Sequence, residues 1–332
     1  MSAPIRLALD AMSGDFGPRI TIPAAQKFAH RSPDSHLTLF GDAEAIKRAA
    51  GRTVLADNIS IHPCRDVIAM DAEPRHTLRH GRESSMWQAL QALADGRTQA
   101  CVSAGNSGAL MLISRRVLGV IPGVEVPAFS KSMPVESGYT LMLDLGGNLH
   151  CSAQQLLQFA RMGQIQARAS GYDNPRIALL NIGSEAGKGT RLIREAAELL
   201  EAAPELNFQG SVEADSIFTG SVEVIVCDGF SGNIALKTSE GVARVLGRRI
   251  QHSFSSFSGR VAGVLIWPIL RRWRQEFNPD AYNGAVLAGL NGVVVKSHGG
   301  AGVEATINAL ELAAQQARRD VPGTIANAVA AQ

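Results

Sequence analysis

The chain has 332 residues, 45% of them hydrophobic and 19% charged, the make-up of an ordinary globular protein. A single core stops growing at roughly 250 to 300 residues, so one domain of two lobes is expected over residues 1–332. A formal net charge of +2 gives no global attraction to nucleic acid, and four widely spaced cysteines with no C-x-x-C pair argue against a zinc site or a disulfide framework and fit a reduced cytoplasm.

The N-terminus runs almost at once into an apolar strand, residues 5–9, which leaves no room for a signal peptide. That strand ends in a glycine turn carrying Asp10, Gly14 and Asp15. A helix over residues 20–29, a strand at 37–40, a short helix at 44–50 and a strand at 59–62 follow. This βαβ alternation predicts a three-layer α/β/α Rossmann-like fold with a mostly parallel sheet. Residues 70–85 break the rhythm as a polar loop with Arg75, His76, Arg79, His80 and Arg82. Such a loop is either a solvated surface or the contact for an acidic partner or an anion.

A helix at 86–93 leads to the strand at 100–102, which ends in Ser103, Ala104, Gly105, Asn106, Ser107 and Gly108 ahead of a helix at 110–118. Two glycines let the backbone approach a ligand, the small polar side chains supply donors, and a helix N-terminus favours an anion. After a proline-rich break at 121–127, the pattern recurs. The strand at 141–143 ends in Asp144 and Asn148, with a helix at 153–169. The strand at 177–180 ends in Asn181, Glu185 and Lys188, with a helix at 191–202. The strand at 222–226 ends in Asp228 and Asn233, with Lys237 beyond, and the strand at 293–295 ends in Lys296 and His298, before a helix at 303–318. In an open parallel sheet such turns gather outside the strand ends, on one rim, and there form a site.

The loop at 183–190 is one residue short of a Walker A motif and carries Gly189 where Ser or Thr would hold magnesium, which disfavours nucleotide hydrolysis. It still suits a bare phosphate, with Lys188 as a point charge. Gly300-Ala-Gly-Val-Glu-Ala305 spells a dinucleotide fingerprint, but no second strand follows, so it reads as a helix start. His298 suits proton transfer or a structural hydrogen bond. Cys101 and Cys227 lie at strand positions and read as core residues, so a covalent intermediate is not expected. Asn106, Lys188 and Asn233 stand in strand-end turns with no apolar role and are the candidates for chemistry or anion binding, together with His298.

Residues 240–280 read as a projecting helical hairpin. Its tip holds Phe257, Val261, Val264, Leu265, Trp267, Leu270 and Arg271, an apolar segment flanked by arginines and too short to cross a bilayer, which needs about 20 residues. Interfacial burial against anionic lipid and packing against a second subunit are both consistent with it.

Taken together, DAMSGDFGP (10–18), SAGNSGAL (103–110), DLGGN (144–148), NIGSEAGKG (181–189), CDGFSGNIALK (227–237) and the late SHGG closely resemble the bacterial phosphate acyltransferases. Ser13 and Asn283 replace an expected glycine, Ser107 a threonine and His150 an aspartate. The resemblance implies transfer of a fatty acyl group from acyl-acyl carrier protein to inorganic phosphate, giving acyl phosphate for phospholipid synthesis. It implies no metal or cofactor, a homodimer, and a phosphotransacetylase-like fold. It also implies a cytoplasmic enzyme at the inner face of the membrane, whose product passes to a membrane glycerol-3-phosphate acyltransferase. On that view Asp10, Gly14, Asp15, Ser103, Gly105, Ser107, Asp144, Asn148, Asn181, Glu185, Asp228 and Lys237 contact substrate or phosphate, and Arg75, His76, Arg79 and Arg82 dock the carrier protein. The alternatives are a non-catalytic anion-binding or scaffold protein at the membrane and, third, a dehydrogenase of the isocitrate type, whose metal-binding aspartate cluster is missing.

Overall fold

The computed structural model describes residues 4–136, 138–185, 187–253 and 283–330. Its strands are β1 (Ile5–Asp10), β2 (Ser35–Gly41), β3 (Ile59–Pro63), β4 (Ala100–Ser103), β5 (Ala128–Pro134), β6 (Tyr139–Leu143), β7 (Arg176–Leu180), β8 (Asn207–Val212), β9 (Val224–Val226), β10 (Ala285–Ala288) and β11 (Val293–Lys296). The helices are α1 (Pro18–Arg31), α2 (Ala43–Ala50), α3 (Pro74–His80), α4 (Ser85–Ala94), α5 (Ser107–Leu118), α6 (Ala153–Ala169), α7 (Arg191–Glu201), α8 (Gly229–Ser253), α9 (Val303–Arg318) and α10 (Val321–Ala330). All the strands join one 11-stranded sheet in the order β3-β2-β1-β4-β11-β10-β5-β6-β9-β7-β8.

The sheet is parallel on both sides of an antiparallel centre. Strands β3, β2, β1, β4 and β11 run one way, and β6, β9, β7 and β8 run the other, because β10 and β5 each reverse direction between them. The turns therefore do not share one rim of a single parallel sheet. They meet by register instead: Leu9, Val102, Val295, Val286, Ser130, Leu143, Val226 and Leu179 form one continuous row of paired residues. Each parallel half finishes its strands at this row, from opposite directions, so both sets of turns stand at one level.

Period-2 alternation sorts the strand side chains onto two faces. Ala8, Cys101, Val294, Phe129 and Ile225 pack with Leu90, Leu110 and Leu236 under α4, α5 and α8. On the opposite face Leu7, Leu9, Val102 and Val295 pack with Phe28 and Leu310 of α1 and α9. There also Leu143, Val224 and Val226 pack with Phe159, Ala196 and Ile325 of α6, α7 and α10. The result is the expected three-layer α/β/α arrangement.

Four differences from the sequence reading have local causes. Strand β5, AFSKSMP, lies beside a proline-rich break and holds three consecutive polar residues, Ser130, Lys131 and Ser132, so no apolar run marks it. Strands β8 and β10 are short or glycine-interrupted. The basic segment is not wholly a loop, because Pro74 at the first position starts the short helix α3. Helix α8 begins at Gly229, inside what reads as a glycine turn. From Val242 to Ile250 it is exposed throughout. Residues 254–282, which hold Phe257 through Arg271 and most of the expected hairpin, lie outside the described residues.

Candidate active site at the meeting of the strand ends

Gly14 is the knot between the first three turns. At φ +85° it adopts a backbone that side chains rarely take, and a Cβ there would lie 3.0 Å from the Gly299 carbonyl oxygen and 3.1 Å from the Ala104 Cβ. The Asp15 amide donates to that same Gly299 carbonyl at 2.8 Å. Beneath them Ser103 Oγ donates to Asp10 Oδ2 at 2.7 Å and accepts from the Gly105 amide at 3.1 Å. Ser13 Oγ donates to the Asp10 carbonyl at 2.8 Å and accepts from the Ala104 amide at 2.9 Å. The serine that departs from the family pattern thus stitches the β1 turn to the β4 turn. Asp10 is 2% exposed, and burial raises its pKa against the hydrogen bond from Ser103.

Asn106 caps α5, accepting from the Ala109 amide at 3.0 Å, while its Nδ2 donates to the carbonyls of Met70 (2.7 Å) and Ala72 (3.1 Å). Its side chain serves as a helix cap and as a clamp on the segment ahead of α3. Ser107 is the first residue of α5.

At the far half-sheet, Asp144 accepts four hydrogen bonds: from the amides of Phe129, Gly147 and Asn148 and from Asn148 Nδ2, at 2.6–3.0 Å. Burial raises its pKa, and these donors pull it back. Asn148 also donates to the Pro127 carbonyl. Both residues shape the β6 turn. Asp228 caps α8 through the Ser231 amide and hydroxyl at 2.9 and 2.8 Å. Gly232 lets that first turn sit down, since a Cβ there would come within 2.0 Å of the Asp144 carbonyl oxygen. Asn233, one residue on, is exposed beside Gly146. In the neighbouring β7 loop Asn181 accepts from the Ile182 amide and donates to the Lys188 carbonyl, and Lys188 pairs with Glu185 at 2.6 Å.

Helix α8 joins the two sides. Lys237 and Lys131 contact the two oxygens of Glu240 at 2.9 and 3.5 Å, and Lys237 is the chief charge acting on His298. Burial and Lys237 lower the His298 pKa, so the ring is neutral at pH 7. Its Nδ1 accepts from the Gly300 amide at 3.0 Å, which leaves the proton on Nε2 as a donor. Lys296 donates to the Ala104 carbonyl at 3.3 Å and to the Ser297 carbonyl; burial, then Lys237, bring its pKa down to about 8. Burial raises the pKa of all four thiols, and Cys101 and Cys227 are buried as core residues.

Asp10, Gly14, Asp15, Ser103, Gly105 and His298 therefore come together, with Lys237 reaching them from α8. Asp144, Asn148, Asp228 and Asn233 form a second group, and Asn181, Glu185 and Lys188 a third, on adjacent strands. Sequence reasoning missed Lys131, Glu240 and Lys296. The signal for Lys296 was its place as the polar end of VVVK, whereas Lys131 lies in a strand that no apolar run marks. Arg75, His76, Arg79 and Arg82 are exposed on and beside α3, and none forms an ion pair among the described residues. No cluster of metal-ligating side chains occurs among the described residues.

A sequence model of the family described as "Fatty acid synthesis protein" matches residues 5–324. A phosphate acyltransferase of Cellvibrio japonicus is 48% identical over 327 residues, covering 98% of both chains. One of Saccharophagus degradans is 45% identical over 332 residues, covering 100% of this chain and 97% of its own. Among solved structures, a phosphotransacetylase of Streptococcus pyogenes superposes with a TM-score of 0.65 at 17% identity, covering 96% of this chain and 95% of its own, a likeness of fold. The chain belongs to the phosphate acyltransferase family.

Proposed function

We propose that the protein transfers a fatty acyl group from acyl-acyl carrier protein to inorganic phosphate, and that the acyl phosphate enters phospholipid synthesis. The observation that carries this reading is 48% identity to a phosphate acyltransferase along 98% of the chain, joined to a site of small donors, neutral His298 and the half-buried Lys131 and Lys296. A phosphate oxygen attacks the thioester carbonyl, the carbonyl oxygen takes the charge, and collapse breaks the C–S bond and expels the carrier thiolate. His298 Nε2–H is the donor we assign to that oxyanion; losing one good donor of this kind lowers the rate about 10²- to 10³-fold. We assign Asn233 and Lys188 to the same chemistry from the second half-sheet, and Asn106 to holding the central turn. The non-catalytic anion-binding reading is not favoured, since relatives along the whole length are named as acyltransferases.

We further propose that the two halves of the sheet are lobes of one domain over residues 1–332, that Arg75, His76, Arg79 and Arg82 dock the acidic carrier, and that the enzyme acts as a homodimer at the inner face of the membrane, handing acyl phosphate to a membrane glycerol-3-phosphate acyltransferase. No described helix is long and apolar enough to cross a membrane; the apolar run at 261–270 is well short of the about 20 residues a span needs, which supports peripheral attachment. The deciding assay is hydroxylamine trapping: purified protein with acyl-acyl carrier protein and phosphate should yield acyl hydroxamate. Intact thioester and no hydroxamate would refute the catalytic reading.

A further inference from the structure

Five adjacent strands carry one rank of side chains, a step beyond the row on which the two halves meet. In order across β1, β4, β11, β10 and β5 these are Asp10, Ser103, Lys296, Ala285 and Lys131, from the paired registers Leu9 with Val102, Lys296 with Ser103, Ala285 with Lys296, and Val286 with Ser130. Paired residues share a face, and Cys101, Val294 and Phe129, two positions away, face the core layer under α8, so all five do the same. Lys296 and Lys131 are thus two strand spacings apart, about 10 Å between backbones. The space between them holds the single methyl of Ala285, and Lys237 and Glu240 approach it from α8.

We propose that this space, floored by Ala285 and walled by Lys131, Lys237 and Lys296, holds the inorganic phosphate that accepts the acyl group. The proposal deepens the acyltransferase reading and rests on it. Each ammonium carries three N–H groups, and contacts with described residues use one on Lys131, one on Lys237 and two on Lys296. Among the described residues five donors therefore have no partner and can turn toward an acceptor-rich, tetrahedral dianion. Charge points the same way: three lysines face the carboxylates of Glu240 and Asp15, and Asp10 is driven toward its neutral form by burial. The charge of Lys237 bears on both Lys131 and Lys296, and an anion between them would relieve that repulsion. His298, beside Lys237 and Lys296, then stands next to the acceptor.

The carrier's phosphopantetheine also bears a phosphate, so the test separates the two sources. Steady-state kinetics and calorimetric titration of inorganic phosphate are compared for the parent, Lys131→Met, Lys296→Met and Lys296→Arg. The expected result is at least a tenfold rise in both Kd and KM for inorganic phosphate in each Met variant, partial rescue by Arg, an unchanged KM for acyl-acyl carrier protein, and melting temperatures within a few degrees of the parent. Unchanged phosphate affinity in a parent that makes acyl phosphate overturns the site alone. A rise confined to the KM for the carrier thioester overturns it in favour of the phosphopantetheine. Melting that falls in step with affinity in all three variants overturns it in favour of a structural role. A parent that makes no acyl phosphate refutes the function, whereas phosphate binding weakened by the Met variants still supports the site.

Discussion

A lysine in folded surroundings that lower its pKa to about 8 from 10.5 has a measurable signature in stability. Between those values the unfolded chain binds a proton that the folded chain does not, so the contribution of Lys296 to stability rises with pH through that window. Below pH 8 the burial penalty is present in full, at most about 3 kcal/mol for such a shift. Lys296→Met removes it, and urea melts should show the variant's advantage over the parent shrinking from pH 7 to pH 10; an advantage that grows would contradict the assignment. In catalysis the same group sets an alkaline limb: kcat/KM for phosphate should fall above about pH 8. The acid limb belongs to His298, whose neutral form dominates down to below its ordinary pKa. Asn106→Ala should lower stability by about 1 kcal/mol for the lost cap, and more for the released clamp on Met70 and Ala72. Asn106→Asp should keep the cap and lose the clamp, and thermal melts of the two variants separate these effects. Asn106 also shows what a sequence conceals: its turn was legible, but the distant carbonyls it holds were not.

Elements with a clean hydrophobic period were legible from the chain, and those whose pattern depends on their neighbours were not. Strands β1, β4, β6, β7, β9 and β11 announce themselves as apolar runs because they are buried on both faces. Strand β5 takes its identity from β10 and β6, which pair with it on either side. Helix α8 illustrates the same dependence at its start, where residues that read as a glycine loop form its first turn and Gly232 is required because the Asp144 carbonyl lies too close for any side chain. Gly232→Ala should therefore unseat the first turn of α8, lower the melting temperature by many degrees and abolish activity, since Lys237 and Glu240 ride on that helix. Gly241→Ala is the matched control. Nothing among the described residues lies within 4 Å of its added Cβ, and helix propensity alone should raise stability by up to about 1 kcal/mol. Equal melting temperatures for the two variants would count against the seating argument.

At the scale of the whole molecule, the exposed basic side chains of α3 and the half-buried Lys131 and Lys296 of the site should respond differently to salt. Reversing Arg75 and Arg79 to glutamate should raise the KM for acyl-acyl carrier protein several-fold at low ionic strength. The effect should fade as screening shortens to about 8 Å near physiological salt, with the KM for phosphate unchanged. A shift in the phosphate KM would instead tie α3 to the catalytic turns through the Asn106 clamp. The order in which the sheet is completed has a consequence for synthesis on the ribosome. Strands β10 and β11, residues 285–296, fill the middle of the sheet between β4 and β5, although both of those strands are made before residue 135. A nascent chain halted before residue 283 would carry two half-sheets with raw inner edges, each a template for pairing with another chain. Lys296 arrives in the same late stretch, so a truncated product is both the most prone to aggregate and unable to hold phosphate.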